Sequence, residues 1–378
     1  MPGWHAKTKD LVTEGKLKVL GIVEEQHADR AVLFMQWHQM DWPVLADPLN
    51  LLGVKAIPYT FLIDEHGIIR YKNPKPADLA TFLGTDYAKP ADIEQTPLAL
   101  KPDSAESRLL WGNASDLDLA IEQFEARTSE QPKDAEAFFR LGVALRERFD
   151  SPQRKPDDFA GAIAAWSEAL KLKPSQYIWR RRIQQYGPRL DKPYSFYDWV
   201  VQAREEIVAR GETPQVLEAE PSGSEFAQPG GRANAKPGDE PEPIHPDPDG
   251  KLPQDEAALV LLEPTVVPST DKKSPACRVH LRFLPDGSRK VHWSNDAGPL
   301  SFFIDDHPGV SIHDIQLPPT NRNSLTSHEE RTVEFEVRPA TGRDTLPDKL
   351  SGAAFYFICE DIGGQCQFLR QDIEISLK

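Results

Sequence analysis

The spacing of apolar residues changes character three times along the chain. In the first part, short apolar runs are separated by turn residues. Leu17 to Val23 predicts a strand, Asp29 to Met40 a helix, Tyr59 to Ile63 and Ile68 to Tyr71 two strands about a turn through Asp64 and Gly67, and Asp78 to Leu83 a closing helix. A proline-punctuated connector follows, from Lys89 to Ser104. Beyond it the spacing becomes helical: Ala120, Phe124 and Pro132, then Phe138, Leu141, Gly142 and Leu145, then Ala162, Trp166, Ala169 and Pro174. Small residues at Gly142, Ala162 and Ala169 would let helices approach while Phe138, Leu141 and Trp166 fill the space between them. Asp150 to Asp157 reads as a loop, and further helices are expected from Gln176 to Gln185 and Tyr197 to Arg210.

The stretch Pro214 to Glu256 has no such pattern. Its 43 residues hold nine prolines, five glycines, ten acidic and three basic side chains, too few apolar groups to offset the entropy of ordering. After it the period shortens to two. Strands are expected at Arg278 to Leu284 and Arg289 to Trp293 about an Asp286-Gly287 turn, then at Leu300 to Ile304, Val310 to Ile315, Arg331 to Val337, Ala353 to Ile358 and Gln367 to Leu377. The expected organisation is therefore an α/β part over residues 1–88, helices over 105–212, a disordered acidic linker over 213–256 and a β-sandwich over 257–378.

Charge narrows the partners. With 59 acidic against 44 basic side chains the formal charge is -15, and no basic run with interleaved aromatics offsets it, so nucleic acid is not expected as a partner. The longest apolar runs, Ala31 to Met35 and Ala257 to Leu262, fall far short of the roughly 20 residues that cross a bilayer, so no transmembrane segment is expected. The first ten residues carry no apolar core of a secretory signal.

The run V-K-A-I-P-Y-T-F-L-I-D-E-H-G-I-I-R-Y, Val54 to Tyr71, resembles the C-terminal half of thioredoxin-like redoxins of the TlpA and peroxiredoxin-related group. Met1-Pro2 matches the Met-Pro that follows the reactive C-x-x-C in that family. The resemblance implies an incomplete thioredoxin-like fold, with the cysteine pair lying just before the first residue and the reading truncated at its start. It also implies a cis Ile57-Pro58 bond opening a strand, with Pro58 presenting backbone to a substrate. The strands at Leu17 to Val23 and Tyr59 to Ile63 would then run parallel, unpaired, about the place of a missing strand. If the start is truncated, the family setting is extracytoplasmic. The register of Ala120 to Pro174 is similar to tetratricopeptide repeats, which implies a groove for a partner peptide.

Three cysteines occur, Cys277, Cys359 and Cys366. Near the end, F-Y-F-I-C-E-D-I-G-G-Q-C-Q-F-L-R sets Cys359 and Cys366 across a glycine-bearing turn between two strands, where a hairpin would hold their Cα atoms about 4.5–5.5 Å apart and suit a disulfide. Such a hairpin resembles the one in the immunoglobulin-like N-terminal domain of the disulfide reductase DsbD, with one more residue between the cysteines here. That implies thiol-disulfide exchange at Cys359 and Cys366 with protein thiols, disulfides or a redox partner protein. A structural staple and a reduced, idle pair stay open, because closing so short a loop contributes only roughly 2.5 kcal/mol and does not discriminate. No cofactor or metal is implied: His307 and His313 lack metal-ligand spacing. Cys277 reads as a lone thiol in a strand, Trp37, His38, Met40 and Trp42 as packing, and Arg180 to Arg182 as a solvated helical face that could hold the acidic linker. The expected function is a redoxin-family thiol-disulfide oxidoreductase acting through the C-terminal pair. The alternative is a non-enzymatic interaction protein built on the helical repeats, and a thiol peroxidase is the weaker reading because the redoxin segment holds no cysteine.

Overall fold

The computed structural model describes residues 1–89, 100–189, 196–221, 223–226, 245–271, 275–319, 323–360 and 365–377. The chain is a mixed helix-and-sheet protein in two compact units. One comprises Met1–Arg154, Ala164–Arg181 and Trp199–Glu220, the other Lys155–Ile163, Arg182–Asp198 and Pro221–Lys378. No helix among the described residues is long and apolar enough to cross a membrane.

The first unit begins with α1 (Pro2–Thr13), β1 (Gly21–Val23), α2 (Ala28–Trp37), β2 (Val44–Ala46), β3 (Phe61–Ile63), β4 (Ile69–Lys72) and α3 (Asp78–Leu83). β1 and β2 run parallel, while β3 and β4 form a separate antiparallel pair, so the strands expected at Leu17 and Tyr59 are not neighbours. The Ile57–Pro58 bond is cis. The strand after it starts only at Phe61, because the Asn73 side chain takes the Thr60 N–H at 3.1 Å and Thr60 O takes the Asn73 N–H, ending the ladder there. Asp64 organises the turn as a hub: one carboxylate oxygen accepts the N–H groups of His66 and Ile68 and the other accepts from Arg70 Nε at 2.6 Å. Leu62, Leu79 and Phe82 form the small core under this hairpin, with Trp4, Leu11 and Leu17 packed on it.

The helices are α4 (Ala105–Trp111), α5 (Ala114–Glu130), α6 (Ala135–Phe149), α7 (Asp158–Leu172), α8 (Tyr177–Gln184) and α9 (Trp199–Ala209). α5 opens on a reciprocal cap between Asn113 and Asp116, and the Asp134 side chain accepts the Ala137 N–H at the start of α6. A β-carbon added at Gly142 would lie 2.4 Å from Trp166 Cδ1 and Nε1, so this glycine is what admits the Trp166 ring of α7. Phe139 rather than Phe138 takes the interior place, fully buried, stacked on Trp179 and accepting the Trp166 Nε1–H at 3.2 Å. Trp37 stacks on Trp199, and Trp42 packs edge-on against His5, which puts the aromatic cluster into packing. Arg182 is buried and Arg180 and Arg181 are half-buried, so the run expected to be a solvated face is partly covered. Of the acidic stretch, residues 214–220 lie on this unit, with Leu217 buried and Glu218 N–H donating to Asp29 at 2.6 Å. Residues 222 and 227–244 lie outside the described residues.

The second unit is built on two antiparallel sheets. Its strands are β5 (Val260–Pro268), β6 (Cys277–Pro285), β7 (Val291–Ser294), β8 (Ser301–Ile304), β9 (Val310–Gln316), β10 (Thr326–Ser327), β11 (Arg331–Pro339), β12 (Lys349–Glu360) and β13 (Cys366–Ser376). One sheet has the order β5-β6-β11-β9, the other β10-β7-β12-β13 with β8 also on β12. Alternate residues of both sheets make one core, including Val279, Leu281, Phe283, Phe335, Trp293, Tyr356 and Ile358. The opposite face of the first sheet is not solvated. Arg278 and Glu336 are fully buried there, Arg278 pairs with Glu334 at 3.0 Å, and His280 lies between Glu334 and the Tyr186 carbonyl. Burial works against the charge of Glu334, but His280 and Arg278 outweigh it and hold the carboxyl down at about 2.

Candidate redox site

β12 and β13 pair without interruption from Lys349–Ser376 to Cys359–Cys366, so the ladder itself brings the two cysteines opposite one another. They form a disulfide with Cα atoms 4.0 Å apart, closer than the 4.5–5.5 Å expected from strand pairing. Cys359 is buried at 4% exposure, while Cys366 is exposed. The asymmetry follows from position, because β12 is an inner strand and β13 an edge. Residues 253–255 lie along that edge at Arg370 through a bridge at Gln254, and among the described residues nothing pairs with it at Cys366.

On its other side, Cys359 lies directly opposite His292 of β7. β10 continues the row, since Ser327 pairs with Trp293 and the next residue is His328. His292, Cys359 and Cys366 therefore stand on one rung of three strands, with His328 next to it just past the end of β10, and cross-strand neighbours on a rung share a sheet face. The two imidazoles meet edge to face with centroids 5.6 Å apart. Each directs Nδ1 at a main-chain carbonyl, His292 at Lys290 O at 3.4 Å and His328 at Val291 O at 3.1 Å. Beside the cysteines, Phe357 and Phe368 stack at 4.1 Å on the same face, and Gly298 comes so near that an added β-carbon would lie 3.1 Å from the Phe357 ring. The opposite face at this level is core: Ile358 and Trp293 are fully buried, and Trp293 Nε1–H donates to Glu329 O at 2.7 Å.

The third cysteine is of another kind. Cys277, buried at the start of β6, has its thiol pushed up to about 12 by burial and by the nearby Glu336 carboxylate, so it is inert as a nucleophile at neutral pH. Pro58 lies in the first unit, the cysteine pair in the second. His307 Nδ1 accepts the Gly309 N–H and His313 contacts Ser311 Oγ at 3.0 Å. Among the described residues no three His, Cys, Asp or Glu side chains are arranged to hold a metal ion.

The two histidines at the rung were not readable in the sequence as site residues. A search for metal-ligand spacing does not find a neighbour 67 residues away, Cys359 from His292, that only strand register creates. No protein-family model matches the chain, and no curated protein matches it.

Proposed function

We propose that this chain is a modular thiol-disulfide exchange protein whose exchange centre is the Cys359–Cys366 bridge. In this reading the first segment is a thioredoxin-like remnant without its cysteine pair, the helices are tetratricopeptide-like, and the terminal unit is an immunoglobulin-like sandwich of the kind found at the N-terminus of DsbD. One observation carries the reading: the bridge joins a buried cysteine of an inner strand to an exposed cysteine of an edge strand. Exchange proceeds by a thiolate attacking one sulfur in line with the S–S bond while the other leaves. The line through the bridge runs across the strands, so attack on Cys366 comes from beyond the edge of β13, whereas attack on Cys359 would have to come through β7. Cys366 is therefore the attacked sulfur and Cys359 the leaving and resolving one.

The test is trapping. In a Cys359→Ser chain, Cys366 is expected to form a mixed disulfide with a small aromatic disulfide under native conditions. In a Cys366→Ser chain the remaining Cys359 is expected to react at least about tenfold more slowly, in keeping with its burial. A bridge in the unaltered chain that resists small dithiols until the chain is denatured is a staple, and would remove the proposal.

A second reading, a non-enzymatic binding platform, is favoured by a cleft of about 390 Å³ in the first unit, where Lys55, Arg140 and Lys173 outnumber one lining carboxylate, Glu136, which pairs with Lys173. It suits an anionic peptide and needs no exchange at all. Binding of acidic peptides that is unchanged in the double variant Cys359→Ser/Cys366→Ser, in a chain inert to dithiols, is the outcome that selects it.

A further inference from the structure

Attack at Cys366 makes Cys359 a leaving group, and a buried thiolate is costly unless a proton or a positive charge meets it. What stands beside Cys359 on its own rung is the imidazole of His292. Side chains directly opposite on adjacent strands have Cβ atoms about 4.5–5.5 Å apart, within reach of a histidine ring to a sulfur. The tautomer is set by the backbone. Lys290 O can only accept, so the His292 nitrogen facing it, Nδ1, carries the hydrogen, and Nε2 holds the lone pair of the neutral ring. Nε2 makes no hydrogen bond among the described residues.

We propose that His292 is the acid–base partner of the Cys359 thiol, an inference that rests on exchange at the Cys359–Cys366 bridge. A thiolate of a dithiol donor bonds to Cys366 Sγ, the Sγ–Sγ bond breaks, and its electron pair leaves on Cys359 Sγ. Protonated His292 gives its Nε2 proton to that sulfur. The donor's second thiolate then attacks the donor sulfur of the mixed disulfide and releases Cys366 as a thiolate. The donor ends as a disulfide, Cys359 as a thiol and Cys366 as a thiolate that takes a proton from water, with two electrons transferred. In the return direction neutral His292 takes the Cys359 proton, and the thiolate so formed expels a partner from Cys366. The other charged or titratable groups about His292 are His328 on the far side, Lys290 in the turn before β7, Asp296 held at Ser294 Oγ at 2.9 Å, and the Arg289–Glu360 pair at the strand end. His328 is the nearest rival for the role, but it is one strand further from Cys359.

The experiment is the pH profile of bridge reduction by dithiothreitol in the full chain, with the rate divided by the dithiothreitol thiolate concentration. The unaltered chain is expected to lose rate through an inflection as pH rises and His292 gives up its proton. His292→Gln is expected to flatten that inflection and lower the acid-side rate by at least about tenfold, while His328→Gln keeps it. An unaltered profile in His292→Gln would overturn the inference and leave exchange standing. No reduction of the unaltered chain at any pH would remove exchange itself. If His292→Gln fails to fold, the His292 Cε1–H resonance of the unaltered chain decides: its titration midpoint is expected to differ between the oxidised and reduced chains, and identical midpoints would overturn the inference.

Discussion

Gly142→Ala sets two effects of opposite sign against each other. Helix propensity alone favours alanine inside α6 by about 1 kcal/mol. The added β-carbon, however, would come within 2.4 Å of Trp166 Cδ1 and Nε1, far inside van der Waals contact. The ring has little room to retreat, because it is fully buried and its Nε1–H is bonded to Phe139 O at 3.2 Å. Overpacking of this kind costs about 1–3 kcal/mol. A displaced indole adds about 1–3 kcal/mol for the buried donor and carbonyl it leaves unmade. The clash wins, and the expected net effect is a destabilisation of about 2 kcal/mol. Urea unfolding read by the far-ultraviolet helix signal should show a lower midpoint with an unchanged slope. Trp166→Phe in the same chain should recover part of the loss, with a coupling of about 1 kcal/mol or more between the two sites. A raised midpoint for Gly142→Ala, the result propensity alone would give, would refute the close approach of α6 and α7.

Other expectations follow from the charges and thiols. Glu334 is held at about 2, below its usual value, so its contribution to stability is present above about pH 4.5, the unfolded range, and is lost as pH falls through the folded value. Glu334→Gln should therefore destabilise the second unit at pH 7 and make its stability fall less steeply between about pH 4.5 and 2, a change measured by near-ultraviolet circular dichroism. An acid transition identical to that of the unaltered chain would count against the buried Arg278–Glu334–His280 group. After reduction at pH 7.5, iodoacetamide should label Cys366 first and leave Cys277 unlabelled until denaturant is added, because burial holds the Cys277 thiol up at about 12. Prompt labelling of Cys277, read by peptide mass, would show that β6 opens.

Local pattern carried much of the fold, and long-range pairing carried the rest. The alternation Arg278, His280, Arg282 against Val279, Leu281, Phe283 marks a strand in the sequence, and β6 is there. The same alternation suggests a solvated outer face, yet Arg278 and His280 are buried, because covering groups such as the Tyr186 carbonyl come from a segment about ninety residues earlier. β5 was hidden by Pro264 and Pro268. Prolines lack the N–H of an inner ladder but are tolerated on an edge, which is where β5 lies. β2, the three residues directly after Pro43, is too short for any period to register. Gly142 and Trp166 were readable as a small residue facing a large one, but which of two adjacent phenylalanines turned inward was not. At the site, the two cysteines were legible because seven positions and a glycine-bearing turn separate them, while His292 and His328 reach the rung only through β7 and β10.

The most direct measurement is the redox equilibrium of the Cys359–Cys366 bridge in the full chain, titrated against a dithiothreitol couple and followed by alkylation and mass. Exchange chemistry requires complete, reversible interconversion under native conditions with a potential above about -300 mV, the limit below which structural disulfides resist reduction. A potential below that limit, with no exchange against a model disulfide in the native state, would contradict the account and make the bridge a staple of the β12–β13 hairpin.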